Sequence, residues 1–448
     1  MNITFTDYIV CAFYIPLIYA FLVPFANKRY GRGITTKHFI WGFTVKLIGA
    51  ISIGLVYQYY YRIGDTFGYF RMGKFFSEII NRDFGEFMNV ILLGNQEYFN
   101  IKAYEHGFSS WQAFSPATVL IARVCALINF ISFNLYLPTA LFFGLFSFSG
   151  LWKLYKVFIE LFPSLQREFA IFILFMPSLF FWGSGILKDS ITIGALGWLT
   201  FACYNLFIKK KWSVSSVLIA LVNLYLMYQI KPYIAMAYLP AVFAWVVFNY
   251  TEKIQNSAMR RVILLLFIVI VMAGFIMMGA SMGKVMEQLS IDNIMQQAAS
   301  TQQAIQDYGA AGSSYSLGTF EPSAAGLFRI MLPSLVVTLY RPFIWEVNNA
   351  FSLLSALESS FFIWFTFIVF RRVGFRKALS TIISKPIVLY CLTFAIMFAI
   401  PVGIASQNFG TLVRYKIPLI PFYLIGFGLI HYYNLGVGVI LDDKKKYS

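Results

Sequence analysis

The chain has 448 residues, of which 59% are hydrophobic, 19% aromatic and 12% charged, against about 45–50% apolar and about 25% charged in an ordinary soluble domain. With a mean hydropathy of +0.71, a soluble globule is excluded and an all-α polytopic membrane protein is expected. The formal net charge of +16 does not point to nucleic acid, because the basic residues stand in short clusters between apolar runs, as the positive-inside rule distributes them.

A spanning helix needs about 20 mainly apolar residues. Eleven segments meet that need, at approximately 8–25, 38–59, 136–155, 169–183, 191–208, 213–229, 233–249, 262–280, 350–370, 386–403 and 417–433. The first is not a cleavable signal, since Met1 to Asp7 carries no Lys or Arg while Lys28, Arg29, Arg32 and Lys37 follow it. It reads as an anchor with its N-terminus outside. Segment 117–133 is 17 residues long and is interrupted by Arg123. If it spanned, 17 basic residues would move outside and only seven inside, so it is expected to be an interfacial or re-entrant helix. The C-terminus is then cytoplasmic.

Within one integral membrane domain, 1–448, this topology leaves two long outer segments, 60–135 and 281–349, with interfacial helices expected at 72–93 and 285–304. The Gly/Ser-rich stretch 309–318 suits either a mobile lid or a plain connector. Cys11, Cys125, Cys203 and Cys391 lie scattered in apolar runs, without CxxC spacing or a nearby histidine, so no disulfide framework or zinc site follows. No Walker loop is present and no soluble segment is large enough to bind a nucleotide.

Most acidic residues fall on the outer side, and Asp65 stands out among them. It follows the aromatic exit Tyr57-Gln-Tyr-Tyr-Tyr-Arg62 and opens the turn Gly64-Asp-Thr-Phe-Gly-Tyr69, which holds a carboxylate where both a soluble hydroxyl and a lipid headgroup reach it. Capping of a helix beginning near Thr66 explains the same residue. In Pro177-Ser-Leu-Phe-Phe-Trp-Gly-Ser-Gly-Ile-Leu-Lys-Asp-Ser190, small residues loosen a helix end before Lys188 and Asp189; the lysine suits a phosphate, or snorkels, while the aspartate suits a cap. Further cations stand on the same side in Lys231-Pro-Tyr233, Tyr340-Arg-Pro342 and Val413-Arg-Tyr-Lys416. Arg341 and Arg414 are the preferred phosphate ligands, because a planar guanidinium donates two parallel hydrogen bonds. Lys46 and Glu358 lie inside spans, where ionisable groups are costly and often functional. His38, His106 and His431 are too dispersed for a metal site.

These residues carry a resemblance. Gly64-Asp65 with Tyr69 after a span, Tyr340-Arg-Pro342, and Arg414-Tyr-Lys-Ile-Pro-Leu-Ile-Pro421 opening the last span resemble the polytopic GT-C glycosyltransferases. The 177–190 and Lys231-Pro-Tyr233 stretches look like those in GT-C-like proteins of bacterial surface-glycan loci. The resemblance implies transfer of a sugar from a polyprenyl-phosphate-linked donor to a glycan, lipid or protein acceptor on the outer face, with Asp65 as base. It also implies that Tyr69, Lys188, Lys231, Tyr233, Arg341, Arg414 and Tyr415 bind substrate. The chain departs from many members in having an extra N-terminal span and in lacking a second acid beside Asp65. A divalent cation is therefore an open question, and no other cofactor is indicated.

Two other functions fit the same outer cations. A polysaccharide polymerase or ligase would use lipid-diphosphate oligosaccharides, and a lipid-linked glycan flippase would place coupling groups near the midplane on broken helices.

Overall fold

The computed structural model describes residues 3–62, 64–80, 116–251, 324–406 and 408–440, with a few isolated positions besides. All regular structure among the described residues is helical. Among the described residues, seven helices are long and apolar enough to cross a membrane: Phe5–Tyr30, Ile34–Tyr61, Tyr136–Leu161, Lys188–Ile208, Pro232–Tyr250, Ala350–Val373 and Pro386–Ile404. An eighth span results if Phe409–Tyr415 and Ile420–Leu435, bent by 67°, are counted as one. The chain is thus a multi-pass membrane protein. Segment 262–280, apart from isolated positions, lies outside the described residues, as do 81–84, 90–115 and 270–323, and with them most of the two long loops expected from the sequence.

Helix packing separates the chain into two compact units, Met1–Pro232 and Tyr233–Ser448. The first contains α1 (Phe5–Tyr30), α2 (Ile34–Val56, prolonged by a π turn to Tyr61), α3 (Asp65–Ile80), α4 (Pro116–Ser132), α5 (Tyr136–Leu161), α6 (Gln166–Ala170), α7 (Pro177–Trp182), α8 (Lys188–Cys203, prolonged to Ile208) and α9 (Val214–Ile230). One end of this unit is gathered by Asp7. Its Oδ2 accepts from Thr4 N at 2.9 Å and Thr4 Oγ1 at 2.8 Å, while its Oδ1 accepts from Leu137 N at 2.9 Å. One carboxylate therefore satisfies orphan amides at the starts of both α1 and α5. Gln58, at the end of α2, exchanges hydrogen bonds with the Ile3 backbone at the same end. At the opposite end Trp152 donates to Tyr30 at 2.8 Å and His38 meets the Tyr155 hydroxyl at 2.7 Å.

The core of the first unit is the contact of α5 with α8. A β-carbon at Gly150 would overlap the Gly194 backbone, and one at Gly197 would overlap Gly150. Small residues let two helices approach this closely, which in a membrane takes the place of a hydrophobic driving force. The crossing lies about 21 Å along α5 but only about 9–13 Å along α8. As both helices run in the same direction from the Asp7 end, α8 begins roughly 10 Å deeper than α5.

That recess is filled by a broken segment. The sequence leads to one continuous span at 169–183; the structure has instead α6, a π turn at Ile171–Phe175 and α7, which stops at Trp182. Met176 is extended ahead of Pro177, as a residue preceding proline must be. Residues 183–187 then run without regular structure, all buried. Irregular backbone at membrane depth is tolerated where protein satisfies its polar groups. Here the buried Lys46 Nζ does so, donating to Leu179 O at 2.9 Å, Gly183 O at 2.7 Å and Ser147 Oγ at 3.1 Å. Three acceptors match the three donors of an ammonium.

The helix expected at 117–133 is α4, a 17-residue apolar helix packed along α3, with Cys125 against Gly73.

The second unit contains α10 (Pro232–Thr251), α11 (Ala324–Tyr340), α12 (Ala350–Val373), α13 (Phe375–Ser384), α14 (Pro386–Ala405), α15 (Phe409–Tyr415) and α16 (Ile420–Leu435). α11 falls within the segment assigned to the second outer loop, yet it is apolar and packs antiparallel to α14. Thr338 Oγ1 donates to Ala399 O at 2.8 Å, and Gly403 lies against the Ser334 carbonyl. Ser359 Oγ donates to Arg341 O at 3.0 Å, so α11 ends about 13 Å along α12 from its start. Residues 341–349 then return to the start of α12, where Asn349 caps the helix by accepting from Ser352 N at 2.9 Å. The last span of the sequence reading, 417–433, begins in the bend between α15 and α16.

Candidate functional site

In the first unit, Asp65 is the first residue of α3, where its carboxylate faces the positive end of the helix dipole. It is half-buried. The next residue, Thr66, is buried and shares a 2.6 Å hydrogen bond with the Tyr136 hydroxyl, and Phe67 and Phe70 pack on the Tyr136 ring. The start of α3 is thereby fixed to the start of α5. Tyr69 follows Asp65 by four residues and so shares its helix face. The Tyr69 ring is buried and lies 5.5 Å from Lys188 Nζ, a cation–π contact.

Lys188 is followed by Asp189, which is fully buried and ion-paired with the buried Lys231 ammonium. Asp189 stands in the first turn of α8 and Lys231 just past the end of α9, so the pair joins two helix termini recessed within the unit. Three sequence-predicted residues thus fall into two contacts at one end of the unit, Tyr69 with Lys188 and Lys231 with Asp189, and Asp65 stands one turn before Tyr69 on α3. Asp189 itself reads from sequence as a cap, and nothing in its spacing announced a partner 42 residues away.

Arg123 of α4, which interrupts the apolar run, is half-buried. Its Nε and one terminal nitrogen are buried with no hydrogen-bond partner among the described residues. A cavity of about 310 Å³ lined by Ser77, Asn129, Phe130, Phe133 and Asn134 lies at the far end of α4 and includes none of the predicted residues.

In the second unit, Arg341 stands at the end of α11 and forms a bidentate ion pair with Glu346, its Nε donating to Oε2 at 3.1 Å. The guanidinium lies 5.0 Å from the centre of the Phe409 ring, a stacking that suits arginine better than lysine. Glu346 also accepts from Phe343 N at 2.8 Å. Burial pushes the Glu346 carboxyl up, but the Arg341 guanidinium and the Phe343 amide outweigh it and hold the group below its ordinary value. The sequence-predicted phosphate fork is therefore occupied by a carboxylate of its own return loop.

Lys416, in the bend between α15 and α16, is fully buried. Its Nζ donates to Ser359 Oγ at 3.2 Å and Arg341 O at 3.3 Å, lies 5.4 Å from the Phe362 ring, and is attracted by the buried Glu358 carboxylate. Sequence reasoning ranked Lys416 below the arginines. The signal that marks it is its place between an aromatic residue and Pro418, where a helix breaks inside an apolar span. Arg414 and Tyr415 close α15 and are half-buried. Tyr233 is placed differently: its ring stacks on Phe398 at 5.7 Å in the packing of α10 against α14.

No group of three or more His, Cys, Asp or Glu side chains suited to a metal ion occurs among the described residues. All four cysteines are free and buried. Comparison with family models, with curated proteins and with solved structures returns no match.

Proposed function

We propose that the protein is a membrane glycosyltransferase that moves a sugar from a polyprenyl-phosphate-linked donor to a surface glycan, lipid or protein acceptor on the outer face of a bacterial inner membrane. The reading is supported by the grouping of Asp65, Tyr69 and Lys188 at one end of the first unit, beside the recessed Asp189–Lys231 pair. A carboxylate at a helix start and fixed cations in the same unit are what this reaction needs.

Asp65 accepts the proton of the acceptor hydroxyl as the new bond forms at C1 of the sugar, while the bond from C1 to the phosphate oxygen breaks. A positioned base of this kind contributes about 10²- to 10⁴-fold in rate. The departing lipid phosphate gains negative charge, and fixed cations in a partly dehydrated site stabilise it. Lys188, beside Tyr69 in the unit that carries Asp65, supplies that charge. One carboxylate on the acceptor side gives inversion at C1. A lipid-linked donor needs no nucleotide-binding domain.

The test compares surface glycans by mass spectrometry in cells lacking the protein and complemented with wild type or Asp65→Asn at equal abundance. Restoration by wild type alone supports the base. Equal restoration by Asp65→Asn removes Asp65 from the mechanism.

The interrupted spans favour a second reading, movement of a lipid-linked glycan across the membrane, because transporters place charged groups at broken helices. Substrate movement in sealed vesicles that collapses with the proton gradient would select it over group transfer.

A further inference from the structure

α13 departs from the apolar character of the helices around it. It joins α12 to α14, which are both long enough to span, so its ten residues lie where two spans leave the bilayer. Gly374, at φ +84°, turns the chain between α12 and α13, in a conformation that residues with a β-carbon rarely adopt. Ala378 and Thr381 are buried, and Thr381 Oγ1 accepts from Asn434 Nδ2 of α16 at 2.9 Å, so one face of α13 is seated on the protein.

A second face is apolar and unseated. Phe375, Leu379 and Ile383 recur every four residues and are 69%, 47% and 54% exposed. That spacing forms one stripe along a helix. The third face carries Arg376 and Lys377, both exposed. Arg371 and Arg372 precede the helix and Lys385 follows it, so residues 371–385 hold five basic side chains and no acidic one.

An exposed apolar stripe beside a cationic edge, held at the level where spans emerge, matches an interfacial helix whose apolar side enters the acyl boundary. The charge decides which surface it meets. Clustered Lys and Arg next to a span attract anionic headgroups and gain nothing from zwitterionic ones. We propose that α13 is a docking helix for anionic lipid headgroups, with Phe375, Leu379 and Ile383 in the acyl boundary and the exposed Arg371, Arg376 and Lys377 on the headgroup phosphates, while Arg372 faces His431 and Lys385 lies over the Tyr433 ring. The proposal does not depend on the glycosyl-transfer reading.

The test uses the full chain, with its four buried cysteines replaced and Leu379→Cys carrying an environment-sensitive fluorophore. It is reconstituted in vesicles of phosphatidylcholine alone or mixed with phosphatidylglycerol. The expected result is emission at shorter wavelength in the anionic vesicles only. Molar salt should reverse that shift, because the Debye length falls to about 3 Å, and Arg376→Gln with Lys377→Gln should abolish it while helix content stays unchanged. Short-wavelength emission in both vesicle types means that another surface covers the stripe, and long-wavelength emission in both means that it faces water; either overturns the proposal.

Discussion

The Asp189–Lys231 pair is a residue-scale feature with a stability consequence. Both side chains are buried, so the desolvation they suffer is offset only while they face each other. Asp189→Asn leaves the ammonium without its carboxylate and should destabilise the protein by about 3–5 kcal/mol. Asp189→Asn combined with Lys231→Met should recover most of that, as read from unfolding midpoints in mild detergent. Equal midpoints for wild type and Asp189→Asn would show that the pair contributes nothing. Glu346 gives a pH dependence. Its carboxyl is held below the ordinary value by Arg341, so its stabilisation is complete above the unfolded carboxyl pKa, about 4.3, and is lost as pH falls through the lower, folded value. Trp345, adjacent and 81% exposed, should report opening of the return loop below about pH 4, by difference against Trp345→Phe. An acid transition unaltered in Glu346→Gln would dissociate it from this carboxyl.

Elements were legible in the sequence where apolar length alone decides them. Spans 8–25, 38–59, 136–155, 191–208, 350–370 and 386–403 each correspond to a helix a few residues longer at its ends, because polar caps and interfacial tyrosines extend helices beyond the hydrocarbon. Segment 169–183 failed as a continuous span because its apolar composition is that of a helix, while Pro177 and the Gly183-Ser-Gly185 run impose breaks. An average over the segment hides them. α11 was hidden for the opposite reason, because its apolar 17 residues were read as part of the long outer segment 281–349. The α5–α8 contact depends on glycines that sequence offered no reason to single out, since their value lies in backbones that only the fold brings together. Gly197→Leu should cost about 1–3 kcal/mol through overpacking, visible as a lower unfolding midpoint, whereas an unchanged midpoint would mean that the helices separate freely.

At the scale of the whole molecule, composition sufficed for class: a chain 59% hydrophobic and 12% charged is a multi-pass membrane protein. The candidate site was legible only in part. Asp65 and Lys188 were chosen for their types and surroundings and Tyr69 through the family resemblance, and Tyr69 and Lys188 touch. Lys416 and Glu346 were underrated, because their partners lie across a bend and a return loop that spacing does not reveal. The orientation of the chain rests on charge distribution. A cysteine introduced at Ser314, a position outside the described residues, should react with a membrane-impermeant reagent added to intact cells, and reaction only after lysis would invert the topology.

Lys46 has a consequence for how the protein is made. The carbonyls it serves belong to residues 133 and 137 positions further along the chain, and at 5–20 residues per second a ribosome needs roughly 7–27 s to deliver them. For that interval α2 carries a basic group without its acceptors, which at a helix centre disfavours insertion by about 2.5–3.5 kcal/mol. The second span therefore enters the bilayer on credit from its apolar neighbours and becomes settled only when 177–183 arrives, so a nascent chain truncated before that point should be the form that quality-control proteases remove first.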